Sequence, residues 1–125
     1  MAGRKTILIV DDERMLVDMI KLRLEAAGYD IRVAYDGEEA LRKTRSAKPD
    51  LVILDIMMPK MDGYEVCRRL KKDPEYAKIP VIMLSAKAQE ADKAMGEEAG
   101  ARAYIAKPFE PGVLLDEIKE ALAKK

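Results

Sequence analysis

Three stretches of the chain are apolar without a break: Ile7-Leu8-Ile9-Val10, Leu51-Val52-Ile53-Leu54 and Val81-Ile82-Met83-Leu84. Short continuous runs rich in β-branched side chains suit strands covered on both faces, as in a parallel sheet. Pro49 and Pro80 stand just ahead of two of these runs, where a missing N–H costs little. Ile31-Arg32-Val33-Ala34 and Ala103-Tyr104-Ile105-Ala106 dilute the pattern, which predicts two edge strands.

Helical patterns fill the intervals. Leu16, Met19, Ile20, Leu24 and Ala27 recur at helical spacing, and Gly28 supplies a stop. Asp36 with Glu39, and Asp62 with Glu65, have capping-box spacing and predict helices near residues 37–46 and 63–72. A fourth helix is predicted over roughly 87–99, ahead of Gly100. The fifth opens at Pro111 and carries Leu114, Ile118, Ala121 and Leu122 on one face. Alternating strands and helices predict an α/β fold, a doubly wound five-stranded parallel sheet with helices on both faces. With the second and fifth strands at the edges, the order is 2-1-3-4-5. Ligands then bind beyond the carboxyl ends of the strands, where the order reverses between strands one and three.

Composition narrows the class. The chain has 125 residues, enough for one domain with its own core and no staple. Apolar residues make up 49% and charged residues 37%, which excludes disorder, and no apolar run approaches the ~20 residues of a membrane span. Lys plus Arg equals Asp plus Glu at 23 each, so no basic excess points to nucleic acid. The lone Cys67 permits no internal disulfide, and the absence of histidine excludes His-based triads, zinc sites and phosphohistidine carriers. Thr6 to Val10 is too short for a secretory apolar region and runs into two aspartates. The expectation is a cytoplasmic chain forming a single domain over 1–125, with no output domain. High charge with no asparagine also fits a thermophile's protein, although eight methionines weigh against it.

The strand ends carry the candidate chemistry. Strand one runs into Asp11-Asp12 and strand three into Asp55. As neighbours in the expected order, these strands bring three carboxylates to one crevice, where their repulsion calls for a cation. An all-oxygen cluster suits Mg²⁺. The plainer reading has Asp12 capping the first helix and Asp55 capping a loop. Strand four ends in Ser85, in a chain with only two serines and two threonines, and could hydrogen-bond an anion or merely form a turn. Strand five ends in Lys107-Pro108-Phe109, and proline extends the residue before it, aiming Lys107 over the crevice. Carboxylates, a divalent ion, a lysine and a hydroxyl together suit in-line phosphoryl transfer, with Asp55, after the central strand, as nucleophile.

These segments resemble the receiver domain of bacterial two-component response regulators, of the single-domain chemotaxis type. The resemblance rests on Ile9-Val10-Asp11-Asp12-Glu13, on Leu54-Asp55-Ile56-Met57-Met58-Pro59-Lys60-Met61-Asp62-Gly63, on Leu84-Ser85-Ala86 and on Tyr104-Ile105-Ala106-Lys107-Pro108-Phe109, and it covers essentially the whole chain. The 2-1-3-4-5 order is also that family's. The resemblance implies that Asp55 accepts a phosphoryl group from a phosphohistidine on a sensor histidine kinase or His phosphotransfer protein. It implies Mg²⁺ on Asp12, Asp55 and the backbone carbonyl of Met57, with Asp11 acting through water. Ser85 would take up a phosphoryl oxygen, Tyr104 would follow from an exposed to a buried rotamer, and Lys107 would contact the phosphoryl group through a strand end whose bond to Pro108 is cis. Met57 and Lys87 occupy positions that tune phosphoryl lifetime, and Lys60 replaces a frequent glycine. The implied chain is no enzyme beyond self-catalysed chemistry at Asp55. It would be a monomer, or a dimer on phosphorylation, that signals to a downstream protein target without binding nucleic acid or membrane.

From the residues themselves, the fourth helix has one large apolar anchor, Met95, among alanines, and should dock weakly. Helix four, strand five and helix five are therefore the expected output face. Met57, Met58 and Met61 read as core filler, Cys67 as a small buried hydrophobe, and Arg68-Arg69 with Lys71-Lys72 as a solvated face. Three alternatives compete: a flavodoxin-like flavin protein, which Asp11-Asp12-Glu13 disfavours at the phosphate loop; a haloacid-dehalogenase-type phosphatase, whose Asp-x-Asp pattern after strand one is missing; and a phosphate-independent scaffold.

Overall fold

The computed structural model describes residues 3–86 and 90–123. Strands β1 (Thr6–Val10), β2 (Asp30–Ala34), β3 (Leu51–Leu54), β4 (Val81–Ser85) and β5 (Ala103–Ala106) alternate with helices α1 (Arg14–Ala26), α2 (Gly37–Ala47), α3 (Gly63–Lys72), α4 (Glu90–Glu98) and α5 (Pro111–Ala123). The sheet is parallel throughout, in the order β2-β1-β3-β4-β5. Both diluted strands lie at its edges, as their sequences predict.

The unbroken apolar runs reflect a sheet buried on both sides. Successive side chains of a strand point to opposite faces. Leu8, Val10, Val52, Leu54, Val81 and Met83 join the core beneath α2 and α3, while Ile7, Ile9, Leu51, Ile53, Ile82 and Leu84 pack with α1 and α5. Apart from Thr6 at the start of β1 and Ser85 at the end of β4, the three central strands are apolar on both faces, which is why their alternation is absent.

The helix signals hold with two corrections. Asp36 accepts the Glu39 N–H at 2.8 Å while Glu39 reaches back to the Tyr35 N–H at 2.7 Å, and Asp62 accepts the Glu65 N–H at 3.0 Å. Gly28 ends α1 with φ of 100°, a backbone region that favours glycine. The buried face of α1, however, is Val17, Ile20 and Leu24, with Met19 exposed and Ala27 outside the helix. The expected row Leu16-Met19-Ile20-Leu24 is rotated by part of a turn, because apolar side chains stand on several sides of this helix. In α4 the expected anchor Met95 is 44% exposed, and burial falls instead on Gly96 and on Ala99 just past the helix end. The predicted start of that helix at 87–89, including Lys87, lies outside the described residues.

Smaller expectations divide similarly. Met58 is buried and Met61 packs on the core, but Met57 is 59% exposed. Cys67 is fully buried, and burial pushes its thiol up to about 11. Arg69 is solvated and pairs with Glu65 at 2.8 Å. Lys71 departs from a solvated face: its ammonium donates to the carbonyls of Ala77 at 3.1 Å and Ile79 at 2.6 Å, and burial lowers its pKa. Among the described residues no helix is long and apolar enough to cross a membrane.

Candidate functional site

The strand ladders decide where the polar residues emerge. Each continues one residue past its strand: the Asp11 N–H donates to Ala34, the Asp55 N–H to Val10, and the Lys107 N–H to Ser85. Asp11, Asp55 and Lys107 are thus the first residues beyond three strands, held by backbone bonds and free to project their side chains over the sheet edge. Ser85 is the last residue of β4 and is fully buried.

The three aspartates converge. One carboxylate oxygen from each of Asp11, Asp12 and Asp55 lies within 4.8 Å of the others. Asp11 and Asp55 are buried and Asp12 is exposed. Neither half of the plainer reading accounts for this. The N-cap of α1 is Glu13, without a side-chain cap, so Asp12 does not start the helix. Asp55 does accept the N–H of Ile56 at 2.8 Å, together with that of Met57, but these bonds orient its carboxylate toward the other two.

Lys107 closes the site. Its ammonium stands 2.8 Å from Asp11 Oδ2, 2.9 Å from Glu13 Oε1 and 3.7 Å from Asp55 Oδ1. Burial works against its charge, yet hydrogen bonds to Asp11 and Glu13 outweigh that and hold its pKa above the ordinary lysine value. Asp55 is pushed the other way, to about 6, by burial and by the Asp11 charge, with Lys107 and the two N–H groups opposing. Of the three trio charges Lys107 offsets one. With Glu13 also drawing on Lys107, an excess of negative charge remains that favours a cation, and an all-oxygen donor set suits Mg²⁺, so the residues present fit such an ion.

The approach to the carboxylates is shaped by glycine and tyrosine. A Cβ on Gly63 would collide with the Asp55 carbonyl oxygen and stand 2.8 Å from the Ile56 Cα, so the start of α3 lies directly on the Asp55 backbone. Beyond it, a cleft of about 450 Å³ is lined by Asp12, Met57, Pro59, Tyr64 and Met95. Tyr104 is half-buried; its hydroxyl is in hydrogen-bonding contact with those of Ser85 and Tyr64, and burial pushes its pKa up to about 12. These contacts hold the Tyr104 ring against the core. The Lys107–Pro108 bond is cis, in line with expectation.

Sequence reading missed two residues here. Glu13 shares Lys107 with Asp11; its signal was a third acid directly after Asp11-Asp12. Tyr64 had no signal beyond being an aromatic in the first turn of α3.

A family model for the response regulator receiver domain matches residues 7–119. The chain is 46% identical over 120 residues to the alkaline phosphatase synthesis transcriptional regulatory protein PhoP of Bacillus subtilis, and 42% identical over 118 residues to the DNA-binding dual master transcriptional regulator RpaA of a Synechocystis strain. These matches cover 96% and 94% of this chain but 49% of each relative, so the chain spans about half the length of the curated relatives it matches. Among solved structures, the chemotaxis response regulator CheY4 of Vibrio cholerae superposes with a TM-score of 0.90 at 33% identity, covering 96% of this chain and 100% of that one. A CheY-like receiver domain protein from Methanospirillum hungatei gives 0.91 at 35% identity, covering 98% and 96%.

Proposed function

The chain belongs to the response regulator receiver domain family of two-component signalling, and on that premise we propose that it accepts a phosphoryl group on Asp55 from a phosphohistidine of a partner. The observation that carries this reading is Lys107 reaching across the crevice to Asp11 and Asp55, where three carboxylates converge. Receiver domains are regulators rather than enzymes acting on outside substrates.

In the proposed reaction a carboxylate oxygen of Asp55 forms a bond to phosphorus as the P–N bond to the partner's imidazole breaks, and the electron pair leaves with that nitrogen. The product is an acyl phosphate, which water later hydrolyses. At neutral pH a group with a pKa of about 6 is mostly ionised and able to attack. The N–H groups of Ile56 and Met57 hold its oxygen in place. Asp11, Asp12 and Asp55, with the Met57 carbonyl, would hold Mg²⁺, which when bound supplies positive charge against the phosphoryl oxygens. Lys107 exchanges its contacts with Asp11 and Glu13 for a phosphoryl oxygen, and Ser85 donates its hydroxyl to another.

The output follows from the same residues. Ser85 and Tyr104 connect the site to α4, β5 and α5, which form the switching face for a downstream protein. The donor is a sensor histidine kinase or His phosphotransfer protein. Met57, beside the site, tunes phosphoryl lifetime along with Lys87. The balanced charge supports no direct role in gripping nucleic acid.

The test is intact mass after incubation with a small phosphodonor, with and without Mg²⁺, on wild type and Asp55→Ala. A single acid-stable, base-labile phosphoryl adduct that requires both Mg²⁺ and Asp55 is the expected result. No adduct from a kinase or a small donor, despite Mg²⁺ binding, would leave a phosphate-independent scaffold.

A further inference from the structure

Helix α4 lies against β5, and two hydrogen bonds tie it and the residue just past its end to α3. Its buried position Gly96, and Ala99 just past its end, bring almost no apolar side chain to the sheet. The Tyr64 hydroxyl donates to the Asp92 carbonyl at 3.0 Å, and the Cys67 thiol donates to the Ala99 carbonyl at 3.3 Å. Tyr64 and Cys67 are one turn apart on α3, and their acceptors are about two turns apart, at Asp92 within α4 and at Ala99 just past its end. The Tyr104 ring packs beneath α4 as well: a Cβ on Gly96 would come within 3.0 Å of its Cδ2.

Tyr64 belongs to both attachments. It is 4% exposed, its single proton goes to the Asp92 carbonyl, and its oxygen contacts the Tyr104 hydroxyl. A hydroxyl that has given away its proton can offer that neighbour only a lone pair. Tyr104 therefore meets an acceptor at Tyr64 on one side and the Ser85 hydroxyl on the other. An outward swing of Tyr104 would abandon both contacts and uncover the floor of α4 at Gly96.

We propose that Tyr64 is a positioning residue of the switch: its hydroxyl holds Tyr104 inward and fixes α4 over it, so that binding of a phosphoryl group at Asp55 is favoured by an arrangement already braced from α3. The proposal rests on Asp55 as the phosphoryl site. It predicts that part of the affinity for a phosphoryl group originates in a residue that touches neither the phosphate nor the metal.

The probe is beryllofluoride with Mg²⁺, a phosphoryl mimic, titrated calorimetrically into the wild type and Tyr64→Phe, which keeps the ring and loses only the hydroxyl. Beryllofluoride affinity should fall roughly fivefold, the worth of one neutral hydrogen bond. Mg²⁺ affinity should be unchanged, and amide exchange over residues 91–99 should accelerate in the bound protein. Tyr104→Phe should weaken beryllofluoride binding as well, and the double variant should be no weaker than the stronger single effect. Equal affinities for wild type and Tyr64→Phe would overturn the inference, as would tighter binding by the variant. A merely structural Tyr64 would lower the melting temperature and leave the ratio of beryllofluoride to Mg²⁺ affinity unmoved, which also overturns it. If the wild type itself bound no beryllofluoride, Asp55 as phosphoryl site would fall, and this inference with it; unchanged affinity in the variant alone removes only the role of Tyr64.

Discussion

Gly63 approaches Asp55 so closely that no side chain fits between them: an added Cβ would strike the Asp55 carbonyl oxygen, while the Gly63 N–H donates to the Ile56 carbonyl at 2.9 Å. The first turn of α3 thereby sets the direction in which the Asp55 carboxylate emerges. Gly63→Ala has only rigid backbone to push against. It should cost about 2–4 kcal/mol in a denaturant titration, by analogy with overpacked and strained sites, and should abolish most of the Asp55 adduct. An unchanged denaturation midpoint would show that the loop before α3 yields freely.

With no divalent ion on the trio, ionised Asp55 should weaken the fold at neutral pH. Its pKa rises from 3.8 to about 6 on folding, so between those values the folded chain keeps a proton that the unfolded chain has lost. Stability from this group is present at low pH and is lost as pH climbs through that window. In chelator at pH 7 to 8, Asp55→Asn should therefore stabilise the protein, by up to about 3 kcal/mol. The gain should shrink to nearly nothing below pH ~4. Thermal denaturation across pH measures it; a constant gain at every pH would contradict the assigned cause.

Lys107 offsets one of the trio's charges from hydrogen-bond distance of Asp11. Lys107→Met keeps the stem and removes the charge, which should raise the Asp55 pKa further and tighten Mg²⁺ binding about tenfold. Phosphoryl acceptance should nonetheless slow by about tenfold or more, because a donor to the transferring group is gone. Opposite movement of the two readouts is the signature; parallel movement would mean that Lys107 serves only to hold the carboxylates.

Lys71 closes the segment between α3 and β4 by donating to Ala77 and Ile79. Lys71→Met should leave two carbonyls short of a donor and cost about 1–3 kcal/mol. Faster amide exchange confined to residues 73–80 would accompany the loss, whereas a solvated lysine would leave both unaffected.

The fold was legible because its signals are local. Buried parallel strands need unbroken apolar runs, and Asp36 and Asp62 mark their helix starts by chemistry confined to four residues. The trio and Lys107 were legible because strand order follows from edge character, and strand ends then share a crevice. The facing of α1 was not, since Leu16, Val17, Met19, Ile20 and Leu22 leave several possible stripes and only the sheet selects one. Nor could charge patterning show that Lys71 turns under a neighbouring loop, or that Tyr64 reaches a carbonyl 28 positions away. Those contacts exist only once α3 and α4 lie side by side.

Because α4 offers Gly96, and Ala99 just past its end, rather than large apolar side chains of its own, shifting it exchanges less hydrocarbon surface with water than moving a helix anchored by leucine and isoleucine would. Heat capacity follows that surface. Movement of this helix should thus carry a small heat-capacity change, with an enthalpy that varies little with temperature and a nearly straight van't Hoff line. Cold would not loosen such an attachment in the way it loosens a greasy one, and the set point of the helix would drift with temperature only as steeply as a few hydrogen bonds require.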